Sequence, residues 1–189
     1  MRELFLDFTN LYNSRMVYTS EAEAIQNTEI GEANNYILND SFVFNKIYKK
    51  DKVSGIFYQN AKGLDNVACE SQILLLSNVL VRKIIFIGFC EWGYFKEKFK
   101  LECSDGTGEY AKVYFSDAVW PLEKAGECCF AAENALYMDG CRYFHEVKMK
   151  SGKGYMYYYL TEFQETKKVN KIIFPENCLM HIFAITIEN

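Results

Sequence analysis

The 189-residue sequence predicts an all-β fold, a two-sheet antiparallel sandwich, on three observations. Short runs with period-two alternation recur along the chain, turn chemistry separates them, and the composition is rich in aromatic residues and nearly free of proline. Half of the residues are hydrophobic and 16% are aromatic, and Tyr and Phe fit a pleated, half-buried surface. With 24% charged residues the profile is that of a folded globule and not a disordered tail. A chain of this length suffices for one β domain over 1–189.

The strand-like runs are, in order, 3–8, 55–59, 72–76, 83–90, 96–103, 110–116, 141–149, 155–161, 171–174 and 179–187. Between them, Ser104-Asp105-Gly106-Thr107-Gly108 and Ser151-Gly152-Lys153-Gly154 tolerate positive φ and read as hairpin turns. Residues 9–45 lack a strand period, hold many Asn, Ser and Glu, and offer at most one helical turn at 21–26. They read as a long excursion across one end of the sandwich. In the last run Leu179, His181, Phe183, Ile185 and Ile187 share one face and Met180, Ile182, Ala184 and Thr186 the other. Both faces are largely apolar, which marks an inner strand. In 96–103 Lys96, Lys98, Lys100 and Glu102 alternate with Phe99 and Leu101, so that strand keeps one solvated face.

Charge and cysteine usage exclude several function classes. The formal charge is −4, and Lys and Arg are scattered, so there is no footprint for a phosphate backbone and no nucleic-acid partner is expected. The longest apolar stretch, 73–89, is broken by Ser77, Asn78, Arg82 and Lys83, short of the roughly 20 apolar residues that a membrane helix needs, so no membrane partner is expected. The N-terminus lacks an apolar signal-peptide core, which predicts a cytoplasmic protein. Seven cysteines, at 69, 90, 103, 128, 129, 141 and 178, contain no Cys-x-x-Cys pair and are odd in number. They are expected to be reduced structural thiols, not zinc ligands or a disulfide framework.

Catalytic constellations do not emerge. Only His145 and His181 are present to act as bases; His181 lies on an apolar strand face and reads as a core histidine with one nitrogen satisfied, and His145 as half-exposed. No glycine-rich loop precedes a strong helix, so nucleotide enzymes drop out. What stands out is a set of aromatic residues near predicted strand ends. Trp92 and Tyr94 follow Cys90, and Trp120 lies in the loop after Asp117. Such rings either cap the core at a sheet edge or stack on the apolar face of a sugar. The run Tyr155-Met156-Tyr157-Tyr158-Tyr159 raises the same choice, with at least one tyrosine face expected toward solvent or a partner.

Taken in order, the stretches Leu6-Asp7-Phe8-Thr9-Asn10-Leu11-Tyr12-Asn13, Gly55-Ile56-Phe57-Tyr58, Leu64-Asp65-Asn66-Val67, Ile85-Phe86-Ile87-Gly88-Phe89, Phe115-Ser116-Asp117 with Trp120, and Phe174-Pro175-Glu176-Asn177 leading to His181-Ile182-Phe183-Ala184-Ile185 form a pattern over nearly the whole chain. It resembles the galactose-binding-like β-sandwich accessory modules of bacterial extracytoplasmic glycoside hydrolases such as α-fucosidases. The resemblance implies a jelly-roll sandwich, a carbohydrate-binding role and a structural cation of the calcium type, for which Asp7, Asn10 and Glu188 are the oxygen candidates. The relatives are exported and joined to an enzyme, whereas no export signal is visible here.

The resulting expectation is a non-catalytic module without a cofactor that binds carbohydrate by stacking on Trp92, Tyr94 or Trp120, with hydrogen bonds from Asp117 and Asn66. Two alternatives stand beside it. One is a structural or protein-interaction domain docking through an aromatic face that includes Tyr157 and Tyr159, and the other is a small hydrolase using His145 with a nearby acid or thiol.

Overall fold

The structure, a computed structural model, describes residues 2–29, 35–40, 42–50, 53–118, 135–145 and 152–189. Among these, twelve strands run in the order β1 Glu3–Phe5, β2 Val17–Tyr18, β3 Asn35–Leu38, β4 Ile47–Lys50, β5 Val53–Ile56, β6 Val67–Glu70, β7 Ile73–Cys90, β8 Phe95–Cys103, β9 Gly108–Phe115, β10 Ala135–His145, β11 Gly152–Ile173 and β12 Glu176–Glu188. One helix, α1 Glu21–Glu29, follows β2.

The long strands β7 and β11 carry the architecture because each belongs to both layers. In the first layer the strand order is β1-β12-β7-β11-β10-β3-β2, antiparallel except for β2 beside β3, and β6 adds to the outer edge of β12. Between the pairs Glu162·Lys83 and Lys167·Val81 the ladder shifts, so four residues of β11 stand opposite Arg82 alone. The Arg82 guanidinium fills this bulge, donating to the Phe163 carbonyl and pairing with Glu162. Beyond the bulge the C-terminal part of β11 takes β8 as its second neighbour, and β9 pairs with β8. A strand that bends through a bulge in this way passes from one sheet of a sandwich into the other.

The second layer closes over the first. The rings of Phe86 in β7 and Phe99 in β8 lie 4.4 Å apart, Tyr114 of β9 meets Tyr159 of β11 at 4.7 Å, and the Thr161 hydroxyl donates to the Lys112 carbonyl. The opposite face of the first layer is covered by the β4–β5 hairpin. The Thr186 hydroxyl donates to the Ser54 carbonyl, and Phe57 bridges Phe183 to a cluster of Phe42 and Tyr48. Burial on both faces leaves Phe8, Phe86, Phe89, Phe99, Phe115 and Phe183 without solvent contact, and each such side chain stabilises the fold by about 1.5–3 kcal/mol.

The all-β sandwich expected from the sequence is the observed fold. β12 is an inner strand with β7 on one side and β1 and β6 on the other. Phe99 and Leu101 point inward from β8 while its lysines line the outside, and Ser104–Gly108 forms the turn into β9, with Gly106 at φ +84 and the Asp105 carboxylate accepting from the Thr107 amide and hydroxyl. Four expectations are corrected. The runs 72–76 and 83–90 belong to one strand of 18 residues, and 155–161 and 171–174 to one of 22. The excursion 9–45 holds two strands of the main sheet, and its helix has nine residues instead of a single turn. Of the second hairpin, β10 and β11 pair antiparallel, but Gly152, Lys153 and Gly154 lie in β11 itself, with Gly152 opposite Tyr143 and Lys153 opposite Arg142, and do not form the turn expected of them; Ser151 lies outside the described residues.

Candidate ligand-binding site

β7 and β8 are joined by the turn Glu91-Trp92-Gly93-Tyr94, and the surrounding chain fixes its shape. The Glu91 amide donates to the Leu179 carbonyl at 2.8 Å, Cys90 donates to the Ser116 carbonyl at 2.9 Å, and Ala118 donates back to Cys90 at 3.2 Å. The Asp117 carboxylate accepts the Gly93 amide at 3.1 Å, so an acid from after β9 caps the turn. Trp92 adopts φ +61, a left-handed conformation that a bulky residue takes only when its surroundings hold it there. Its indole is 61% exposed and the Tyr94 ring 43%. Three of the five expected binding residues, Trp92, Tyr94 and Asp117, therefore meet in one turn. Trp120 lies outside the described residues.

Asn66 departs from its expected role. It is fully buried, its Nδ2 donates to Asp65 at 2.8 Å, and its Oδ1 lies 2.8 Å from Nδ1 of His181, so neither end of the amide reaches a surface ligand. It belongs instead to a buried polar line running Asp65, Asn66, His181, Glu91. His181 stacks on Phe89 at 5.4 Å, and its Nε2 is 3.3 Å from Glu91 Oε2. Donation by Nδ2 to Asp65 turns the amide oxygen toward the imidazole, so Nδ1 carries a hydrogen. The line thus ends at the root of the Trp92 turn, and both ring nitrogens of His181 are engaged where the sequence suggested one.

Asp65 anchors the other end. Its carboxyl accepts the Met16 and Val17 amides at 3.0 and 2.9 Å, tying the start of β2 to the site. Burial pushes its pKa up to about 6, against the downward pull of the Asn66, Val17 and Met16 donors and the Arg15 guanidinium. Burial also pushes the Cys69 and Cys90 thiols well up, away from the thiolate form that nucleophilic attack needs. Cys69, Cys90 and Cys103 are buried free thiols and Cys178 an exposed one.

The tyrosine run is mostly interior. Tyr155 and Tyr157 are buried, and the Tyr157 hydroxyl donates to the Asp117 carbonyl at 3.1 Å, which makes it a support for the turn and removes it from any docking face. Tyr157→Phe is expected to cost about 1 kcal/mol in a urea-unfolding measurement, the usual worth of one such hydrogen bond. Tyr159 is half-buried against Tyr114. Only the backbone of His145 is described, pairing with Asn35. Asp7 caps Thr9, Glu188 pairs with Lys83 at 3.5 Å, and among the described residues no three His, Cys, Asp or Glu side chains are grouped to hold a metal ion. Sequence reasoning missed Asp65, Glu91 and the part played by His181, because Glu91 and Asn66 lie 90 and 115 residues from that histidine. Comparison with protein-family models finds no match, and comparison with curated proteins finds none either.

Proposed function

We propose that the chain is a non-catalytic binding module whose Trp92–Tyr94 turn stacks on the apolar face of a carbohydrate. The observation that carries this reading is the exposed indole of Trp92, held at φ +61 on a turn capped by Asp117. A large ring held in a fixed pose loses little conformational freedom on binding, and a sugar presents C–H groups to such a ring and hydroxyls to acids at its edge. Glu91 and Asp117 are the acids nearest in the turn, and the buried line through His181 and Asn66 supports Glu91 from below. The resemblance to galactose-binding-like modules, with their jelly-roll wiring and extracytoplasmic partners, supports the same reading.

Affinity gel electrophoresis against a panel of plant and bacterial polysaccharides tests it. Wild type is expected to be retarded by at least one polymer, and Trp92→Ala to lose about 2 kcal/mol of that binding, roughly a 30-fold weaker dissociation constant. Tyr94→Ala should lose less because its ring is less exposed. Wild type migrating unretarded on every polymer would sink the proposal.

A further inference from the structure

Away from this turn the N-terminal half of β7 presents a strand edge of its own. β12 pairs with β7 only as far as Glu188 beside Lys83. Over the ten residues 73–82, β7 has β11 on one side and, among the described residues, no strand on the other. Unpaired strand edges offer a row of amides and carbonyls that template a further strand. Three of the outward side chains here are apolar, Leu75 at 72% exposed and Ile73 and Leu80 at 48% each, on either side of the exposed polar pair Ser77 and Asn78.

We propose that this edge pairs antiparallel with the same edge of a second copy, forming a weak two-fold dimer. The pattern along β7 specifies the register. Leu74 and Val81 are buried and Leu76 and Val79 pack against the core, while Ile73, Leu75 and Leu80 face outward. The face parity changes between Leu75 and Leu80 because the ladder shifts between the pairs Lys171·Leu75 and Val169·Val79, and Asn78 there has φ +54. Directly opposed residues of an antiparallel pair share a face. With that change of parity, the faces match across the two halves only if the two-fold lies between residues. Centred between Ser77 and Asn78, it sets Leu75 opposite Leu80 of the second copy on the outer face. On the inner face it sets Leu74 opposite Val81 and Leu76 opposite Val79.

Charge agrees with this arrangement. The lysines on the same face, Lys168 and Lys171, sit one strand back on β11, and Lys171 is bound by Glu102 at 2.7 Å. Arg82, at the end of the edge, is paired with Glu162 at 3.2 Å, so no uncompensated like charges meet across the seam. The area makes the dimer weak. A ten-residue strand is about 33 Å long, and a strip roughly 10 Å deep buries about 700 Å² over both copies, below the ~1,200 Å² of stable interfaces.

Sedimentation velocity from about micromolar to about millimolar protein, with hydrogen exchange at both ends of the range, tests the pairing. A concentration-dependent dimer is expected, with those amides of 73–82 that point away from β11 protected only at the high end. Leu75→Lys, a surface change whose fold is checked by its unfolding midpoint in dilute solution, should weaken the dimer at least tenfold. Adding Leu80→Glu to it sets lysine opposite glutamate twice and should restore the dimer. A wild type that stays monomeric throughout overturns the proposal, as does a dimer indifferent to Leu75→Lys or a double variant that stays apart. Edge protection that arises only when an unrelated extended peptide is added overturns the second copy as occupant.

Discussion

Gly88→Ala is expected to destabilise the protein by about 4 kcal/mol or more, one of the largest effects open to a single methyl group. A Cβ at Gly88 would lie 2.0 Å from the carbonyl oxygen of His181 and 2.9 Å from the Phe115 ring. Gly88 stands near the C-terminal end of β7 with Tyr157 on one side and Ile182 on the other, next to the register shift between Ile182 and Ala184. The obstructing atom is therefore backbone, held by ladders on both flanks, and it can retreat only if β12 parts from β7. Gly55→Ala is the informative control. Its Cβ would meet the tip of the Ile87 side chain at 2.7 Å and the Ala184 methyl at 3.3 Å, and a side-chain tip can turn away. A cost of about 1–2 kcal/mol is expected there. Urea-unfolding midpoints of the two variants decide the matter, and equal losses would show that the close approach of β12 is softer than the geometry requires. Because the crowded carbonyl belongs to His181, Gly88→Ala should also pull the imidazole away from Asn66 and Glu91 and weaken any ligand binding at the Trp92 turn.

The same contrast between local and distant causes explains what the sequence revealed. Alternation in 96–103 and 179–187 is written by burial on each face of one strand, so the inward Phe99 and Leu101 and the double-sided core of β12 were legible from spacing alone. The Asp-Gly turn at 104–108 is equally local, since its positive φ and its Asp105 cap need only neighbours. The continuity of β7 was hidden because Ser77, Asn78 and Arg82 look like breakers in a linear reading. In the fold they sit at bulges, where an irregular strand can carry polar residues while it changes layer. β2 and β3 were illegible for a different reason: β2 has two residues, and what secures its approach is Asp65, an acid far along the chain that accepts the Met16 and Val17 amides. The placement of Trp92 and Tyr94 just after a strand was legible, but their exposure was not, because a ring at a strand end can equally fold back to cap the core. The burial of Asn66 did not, because an Asn beside an Asp in a predicted loop gives no sign that a histidine 115 residues away will claim its carbonyl.

Asp65 is where acidity should act on stability most strongly. Its carboxyl is fully buried and its pKa is pushed up to about 6, above the ordinary 3.8 that it regains when the chain unfolds. The folded state therefore holds this proton more tightly than the unfolded state does. Below about pH 4 the group is protonated in both states and its favourable contribution is complete. As pH rises from there through about 6, the folded state gives up a proton that it favoured, and the contribution is lost; above that window both states are ionised and the dependence flattens. The interval between 3.8 and about 6 corresponds to about 3 kcal/mol, so this residue alone should make stability fall by that order between pH 4 and 7. Asp65→Asn separates the titration from the hydrogen bonds. The amide keeps one acceptor oxygen but turns an NH₂ toward a backbone N–H of Met16 or Val17, leaving a buried donor unpaired at a cost of about 1–3 kcal/mol. Its urea midpoint should thus lie below that of wild type at pH 5, where the wild-type carboxyl still keeps much of its proton advantage. The gap should narrow toward pH 7, because only wild type loses stability over that interval. A variant whose midpoint tracks wild type in parallel from pH 4 to 7 would show that the slope arises elsewhere. Other titrating groups move both curves alike, which makes the difference between the two curves the measurement that reports on Asp65 itself.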